Sequence, residues 1–80
     1  MNLPYTQILL GITTIEYSLI KSADVNITVF DMPGEKVFDL SVKKEIPGSY
    51  ESKLPSLSPG IYIVEMNVNE KRFFRKLITF

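Results

Sequence analysis

The sequence predicts an all-β domain, an antiparallel β-sandwich of about six to seven short strands, and two observations support this. Apolar and polar residues alternate over residues 13–19 and again over 25–29, which is the period of two typical of half-buried strands. Proline-glycine pairs at 33–34, 47–48 and 59–60 mark chain reversals between the strands. Several short strands separated by such turns are typical of a sandwich.

The first two strands supply the clearest part of the predicted core. In residues 13–19 and 25–29 every second residue is apolar, and the polar residues 21–24 separate the two runs. A later run, 61–68, places four apolar side chains on one face. We therefore expect these side chains to be mostly buried: Ile15, Tyr17, Leu19, Val25, Ile27, Val29, Tyr62 and Val64; Met66 and Val68 share the face of the last two.

The middle of the chain is marked by its turns. Pro33-Gly34 suits the central pair of a type II turn, because proline fixes the first φ and glycine accepts the positive second one. A third strand over 37–42 is expected to end at the polar residues 43–45, before a turn at Pro47-Gly48. Residues 49–54 then form a short strand around Tyr50. We expect Gly34 and Gly60 to need positive φ or close packing, and we assign Gly48 to the same structural class.

The last segment is the hardest to assign. Asn69-Glu70 predicts a tight hairpin turn after the strand at 61–68. Phe73, Phe74, Leu77 and Ile78 lie at helical spacing, so periodicity alone favours one or two turns of helix. We predict a strand with an irregularity over 71–80, because the hairpin supplies a partner edge. Residues 1–12, with the apolar Ile8-Leu9-Leu10, form an N-terminal tail or an extra strand, and the domain proper spans 13–80.

Composition excludes several classes of function. Nine basic and nine acidic residues give zero net charge, so nucleic acid is not an expected partner. The chain has neither histidine nor cysteine, which removes the commonest acid-base group, the commonest metal ligands and any disulfide. No apolar run approaches the roughly 20 residues of a transmembrane helix, so we expect no membrane insertion. We expect no enzymatic activity, no cofactor and no metal.

Three clusters of side chains are candidate sites. Asp24, Asp31, Glu35 and Asp39 could hold calcium, but their spacing is poor and we favour turn capping. The four tyrosines, Tyr5, Tyr17, Tyr50 and Tyr62, could form a carbohydrate platform, but three lie in strand patterns and are expected in the core or on the sheet surface. A basic cluster of Lys71, Arg72, Arg75 and Lys76 suits either an anionic partner or the protection of an edge strand, and we favour protection.

Taken together, four segments resemble a known family. These are Thr-Thr-Ile-Glu-Tyr-Ser-Leu at 13–19, the run from Val25 through Phe30-Asp31-Met32-Pro33-Gly34 to 37, Leu-Ser-Pro-Gly-Ile-Tyr at 57–62, and Arg-Lys-Leu-Ile at 75–78. In this order and spacing they resemble the C-terminal sorting domain, type A, of the type IX (Por) secretion system.

The resemblance implies an immunoglobulin-like sandwich that acts as an address on a larger cargo. In that family an outer-membrane translocon recognises the domain after the cargo reaches the periplasm, and a sortase-like peptidase then removes it. The cargo is secreted or attached to the surface of a Gram-negative, Bacteroidota-type bacterium. The implied recognition residues lie in the terminal strand: Lys71, Arg72, Arg75, Lys76, Leu77 and Ile78.

A second class of function shares part of the pattern. The Val-x-Ile-x-Val-Phe-Asp and Gly-x-Tyr motifs also resemble accessory immunoglobulin-like modules of secreted hydrolases and of flagellar hook-capping proteins, which are structural or adhesive. For an isolated domain we also expect weak homo-oligomers, formed through an edge strand or through Ile8-Leu9-Leu10.

Overall fold

Seven β-strands and no helix make up the part of the chain that the computed structural model describes, residues 5–10 (backbone only) and 14–80. The strands are numbered in chain order: β1 (Tyr5–Leu10), β2 (Thr14–Leu19), β3 (Ala23–Phe30), β4 (Lys36–Glu45), β5 (Gly48–Lys53), β6 (Gly60–Val68) and β7 (Lys71–Thr79).

The strands form two sheets, and every pairing is antiparallel. One sheet has the order β1-β2-β5 and the other has the order β4-β3-β6-β7. Hairpins join β1 to β2, β3 to β4 and β6 to β7, whereas the chain crosses between the sheets after β2, β4 and β5. The predicted antiparallel sandwich is confirmed.

The core lies between the two sheets and follows the predicted alternation. All eight residues predicted to be buried are at most 7% exposed. Met66 and Val68 continue the inner face of β6, and Leu54 and Leu77 join the same apolar cluster. Alternate side chains on a strand point to opposite faces, so burial of one face fixes the register of each strand.

Strand β4 is longer than the sequence pattern predicts, because it continues through the polar residues 43–45 to Glu45. The register shifts between Ala23 and Val25, and Lys44 has φ 52°, which marks a bulge. The Asp24 side chain accepts the Lys44 N–H at 2.9 Å. An edge strand tolerates polar residues, so the lysines do not end the strand.

Beyond the bulge, β4 makes a hydrogen bond to the other sheet. The Tyr17 hydroxyl donates to Glu45 Oε1 at 2.5 Å, and the Tyr17 ring stacks on Tyr50 with centroids 5.4 Å apart. Burial raises the pKa of Tyr17 well above its usual value, and the bond to Glu45 adds to this effect. The phenol therefore stays a neutral donor that joins the two sheets.

The turn after β3 differs from the predicted type. The Gly34 N–H donates to the Asp31 carbonyl at 3.0 Å, so the central pair is Met32-Pro33 rather than Pro33-Gly34. The Asp31 carboxylate also accepts the Glu35 N–H at 2.7 Å, and this cap moves the turn by one residue. The expected positive φ is nevertheless confirmed, at 94° for Gly34 and 159° for Gly60.

Replacing Gly34 should reveal the cost of its backbone conformation alone, because an added Cβ would meet no atom within 4 Å. We expect Gly34→Val to lower the free energy of unfolding by about 1–3 kcal/mol and the melting temperature by roughly 4–8 °C per kcal/mol. Gly34→Asn is the matched control, since asparagine tolerates positive φ better than a β-branched residue. Equal melting temperatures for the two variants would contradict a left-handed residue at this turn.

Candidate recognition surface

The predicted recognition residues lie on β7, which forms a regular hairpin with β6. Nine residue pairs run without a shift from Gly60 opposite Thr79 to Val68 opposite Lys71. The predicted strand is confirmed, and the predicted irregularity is wrong. The helix-like spacing has a simple origin, because Phe73 and Leu77 face the core while Phe74 and Ile78 face outward.

The hairpin turn is fixed to β3. Asn69 and Glu70 have φ of 49° and 74°, as a two-residue type I′ turn requires. The Asn69 N–H donates to the Asp24 carbonyl at 3.0 Å, and the Asn69 side-chain oxygen accepts the Asp24 N–H at 2.8 Å. The predicted tight hairpin is confirmed, and these two bonds hold its tip beside the start of β3.

The opposite end of the hairpin is held by the Ser58 carbonyl. This oxygen accepts the hydroxyl of Tyr62 at 2.6 Å and the hydroxyl of Thr79 at 2.8 Å. The Thr79 oxygen in turn accepts the Gly60 N–H at 3.1 Å. A tyrosine near the start of the sixth strand that bonds back to the preceding loop is the tyrosine corner of immunoglobulin-like sandwiches.

The same local device occurs twice. Tyr50 donates its hydroxyl to the Ile46 carbonyl, four residues upstream, as Tyr62 does to Ser58. Both tyrosines stand in a Pro-Gly-x-Tyr sequence, at 47–50 and 59–62. The two proline-glycine pairs predict the turns, but the hydrogen bonds from the tyrosines back to the preceding loops were not predicted, although the repeated motif is a signal for them.

The backbone of β7 has an open side. Within the described part of the chain β7 pairs with β6 only. The pair that closes a two-residue turn, Val68 and Lys71, is hydrogen-bonded, and such pairs alternate along an antiparallel ladder. The N–H and C=O groups of four residues therefore point away from β6, and we call these residues the outward row: Arg72, Phe74, Lys76 and Ile78.

Strand alternation divides the predicted basic cluster. Arg72 and Lys76 lie in the outward row, on the outer face of the sheet, whereas Lys71 and Arg75 belong to the alternate row with Leu77. The four cations do not converge on one face. The Arg75 guanidinium donates to the Phe74 carbonyl at 2.8 Å, so it covers one of the backbone acceptors of the open side.

Apolar side chains accompany the cations on the outer face. Phe74 is 54% exposed and Ile78 is 47% exposed. Ile61 lies directly opposite Ile78 on β6 and is also exposed, and Phe80 follows the end of β7. Leu77, by contrast, is a core residue. Of the six candidate recognition residues, Leu77 anchors the strand and the other five are exposed.

A polar network covers the outer face of this sheet where β3 pairs with β4. Asn26 donates to Asp39 Oδ1 at 3.2 Å and to the Ser41 hydroxyl at 2.7 Å. Thr28 donates to the same Asp39 oxygen at 3.1 Å, and Lys36 lies 3.8 Å from the other carboxylate oxygen. The hydrogen bonds from Thr28 and Asn26 lower the pKa of Asp39, and the Lys36 charge contributes further.

The two other candidate sites have structural roles. Asp24 and Asp31 accept backbone N–H groups at the bulge and the turn, which confirms the turn-capping interpretation for these two residues. No three acidic residues among those described come together to hold a metal. Tyr17 and Tyr62 are buried, Tyr50 is half-buried, and the Tyr5 side chain lies outside the described residues. The tyrosines form no common surface.

Two antiparallel sheets and a tyrosine corner define an immunoglobulin-like sandwich. The model of one protein family, described as the secretion system C-terminal sorting domain, matches residues 10–79, and the chain belongs to this family. It is therefore a sorting signal for type IX secretion, which in Bacteroidota leads to export and to a secreted or cell-surface location. A search of curated proteins finds no match.

Among the described residues there is no helix of the length and apolar content needed to cross a membrane. As a member of this family the domain interacts with the type IX secretion machinery. The exposed part of β7 is the surface on which the predicted recognition residues lie.

The double role of the Ser58 carbonyl predicts coupling between Tyr62 and Thr79. We expect Tyr62→Phe alone to lower the free energy of unfolding by about 1 kcal/mol, because the Thr79 hydroxyl still satisfies the carbonyl. Combined with Thr79→Val, the loss should exceed the sum of the two single losses, since the Ser58 oxygen then has neither hydroxyl partner. Urea denaturation of the four proteins measures this, and strict additivity would contradict the shared acceptor.

The Asp39 network predicts an acid-dependent contribution to stability. Because the folded pKa of Asp39 is lowered, its contribution is present above the unfolded value of about 3.9 and is lost as pH falls through the folded pKa. Asp39→Asn should therefore melt below the wild type at pH 7, and the gap should narrow in acid. Melting temperatures at several pH values check this, and a constant gap would contradict it.

Proposed function

We propose that the type IX machinery recognises this domain at β7, and that the translocon in the outer membrane is the component that binds this strand. Lys71, Arg72, Arg75, Lys76 and Ile78 are the proposed contact residues, and Leu77 holds the strand in place. The observation that carries the proposal is the combination on one strand of open backbone groups, cations and exposed apolar side chains.

Protein surfaces that bind partners combine these features. Exposed apolar residues rimmed by polar ones mark interaction sites, and an unpaired strand edge is a ready template for another chain. Folded proteins usually cover or interrupt such an edge. Here the pairing of β7 with β6 is uninterrupted, and within the described part of the chain no strand pairs with its other side.

The domain itself acts as an address and performs no chemistry in this proposal. After transport, a sortase-like peptidase at the cell surface separates the domain from its cargo. The cargo is then released or stays attached to the surface. The rigid anchoring of β7 at both ends, by Asn69 and by Ser58, supports recognition of a preformed strand.

A reporter fusion tests the proposal. The full 80-residue chain is placed after a reporter that is exported to the periplasm, in a host that has the type IX system. We expect the reporter at the cell surface or in the medium, and we expect it to be shortened by the size of the domain once the peptidase has acted. Cell fractionation and immunoblotting measure both results. A folded fusion that stays in the periplasm would overturn the proposal.

Single substitutions separate recognition from folding. Lys76→Ala removes one exposed charge from β7 and should reduce the exported fraction several-fold without lowering the melting temperature. Lys43→Ala is the matched control, because Lys43 is an exposed lysine on β4, the other edge strand of the same sheet. Equal export of the two variants would argue against recognition of the domain at β7.

Deletion of residues 76–80 is a harsher test of the same strand. It should abolish export, but it also removes the buried side chain of Leu77, which contributes about 1.5–3 kcal/mol. Limited proteolysis of the periplasmic fraction shows whether the truncated domain is still folded. Loss of export counts for the proposal only if the truncated domain resists proteolysis as the intact one does.

A further inference from the structure

We propose that the open edge of β7 accepts an extended, acidic segment of the protein that recognises it. In this proposal the Arg75 guanidinium covers one backbone acceptor of the edge until a carboxylate of that segment displaces it. The inference rests on the proposed function, because it names the chemistry of the partner at the same strand. It is carried by the division of hydrogen-bonding groups, charges and apolar side chains along β7.

The outward row offers a template for strand addition. Four residues point their N–H and C=O groups away from β6, and an added strand would pair with them as β6 pairs with the alternate row. One of these groups, the Phe74 carbonyl, accepts the Arg75 guanidinium at 2.8 Å. An incoming strand can use that carbonyl only after Arg75 moves away.

Charge indicates the nature of the incoming strand. β7 carries Lys71, Arg72, Arg75 and Lys76 and no acidic residue. Two copies paired through β7 would bring eight cations together at one edge, so a second copy of the chain is disfavoured there. An acidic segment is favoured for the same reason, because a carboxylate gives Arg75 a charge-assisted, two-pronged hydrogen bond in exchange for a single bond to a carbonyl.

The side chains of β7 specify the pattern of the partner further. Phe74 and Ile78 are exposed on the outer face, where apolar side chains of an added strand would lie beside them. Arg75 lies in the alternate row, so its carboxylate partner must project to the other face. The complementary segment therefore alternates apolar and acidic residues.

The other edge of this sheet lacks these features. The pairing of β4 with β3 shifts register at two places, and one of these is the bulge at Lys44. Strand β4 also carries charges of both signs, with Asp39 in an ion pair with Lys36. A bulge twists an edge and interrupts regular pairing. Strand addition is accordingly favoured at β7.

Peptide binding to the full 80-residue chain tests the inference. The first probe is a blocked peptide of about nine residues, the length of β7, that alternates valine and glutamate; the second has glutamine in place of glutamate. In NMR titrations the acidic peptide should shift the amides of the outward row, and it should bind roughly tenfold more tightly than the glutamine peptide. Shifts confined to β4, or equal affinities, would overturn the inference.

Arg75→Ala distinguishes the proposed role of Arg75 from a general effect of positive charge. The variant should bind the acidic peptide roughly tenfold more weakly, because the ion pair is lost. It should bind the glutamine peptide at least as tightly as the wild type does, because the Phe74 carbonyl is no longer covered. Arg72→Ala removes the same charge without removing that cap, so it should keep most of the preference for glutamate. Equal behaviour of the two variants would overturn the role of Arg75.

Two further probes separate strand pairing from binding of any polyanion. The acidic peptide with methylated backbone nitrogens keeps its charges but cannot donate to the strand, and dextran sulfate is anionic without a peptide backbone. Both should leave the outward row nearly unshifted at physiological ionic strength. If either binds as well as the acidic peptide, the edge recognises charge alone and the inference fails.

The reporter assay distinguishes this inference from the proposed function. If the fusion is exported and Lys76→Ala reduces export more than Lys43→Ala does, while the glutamate preference is absent, the inference fails and recognition at β7 stands. If the preference is present and depends on Arg75 while the folded fusion stays periplasmic, strand pairing at the edge stands and the proposed function fails.

Discussion

The inner row of β3, Val25, Ile27 and Val29, determines where every other strand of its sheet lies. These side chains are at most 3% exposed, and a slip of one residue would move all three to the solvent side. Burial of each contributes about 1.5–3 kcal/mol, so such a slip is strongly opposed. β4 and β6 are both registered against this row, and β7 is registered through β6. The placement of the strand with the proposed recognition residues therefore follows from a core two strands away.

The connections between the sheets need a second kind of interaction, because apolar contacts carry little direction. Three tyrosine hydroxyls supply it. Tyr17 bonds to Glu45 across the sheets, Tyr50 bonds to Ile46 before β5, and Tyr62 bonds to Ser58 before β6. Small domains often fix such points with disulfides, which a chain without cysteine cannot form. Among the described residues no buried side-chain polar atom lacks a partner, so these bonds complete the core without a polar defect.

Much of this architecture is visible in the sequence. The parts that are not depend on side-chain caps or on strand pairing, which the pattern of apolar residues does not show. Alternation of apolar and polar residues predicts the buried row of each strand, because this pattern can be read from the sequence of that strand alone. The bulge at Lys44 depends on Asp24, twenty residues earlier, and the turn at Gly34 depends on a side-chain cap from Asp31. The basic cluster of β7 was also recognised, but its division between two faces follows only once the segment is known to be a regular strand. The spacing of apolar residues in β7 fits a helix as well as a strand, and the pairing with β6 shows that the segment is a strand.

A strand that must be recognised and yet must not aggregate faces opposing requirements. Recognition requires an open edge, whereas an open, regular, partly apolar edge promotes association between copies. In the proposed arrangement, like charge on β7 separates the two cases without closing the edge, because it repels a second copy and attracts an acidic partner. In that arrangement the Arg75 cap adds selectivity beyond net charge, since a carboxylate pairs with the displaced guanidinium and a neutral strand leaves it without that partner. In the arrangement inferred here, the residues that protect the edge are also the residues that select its partner.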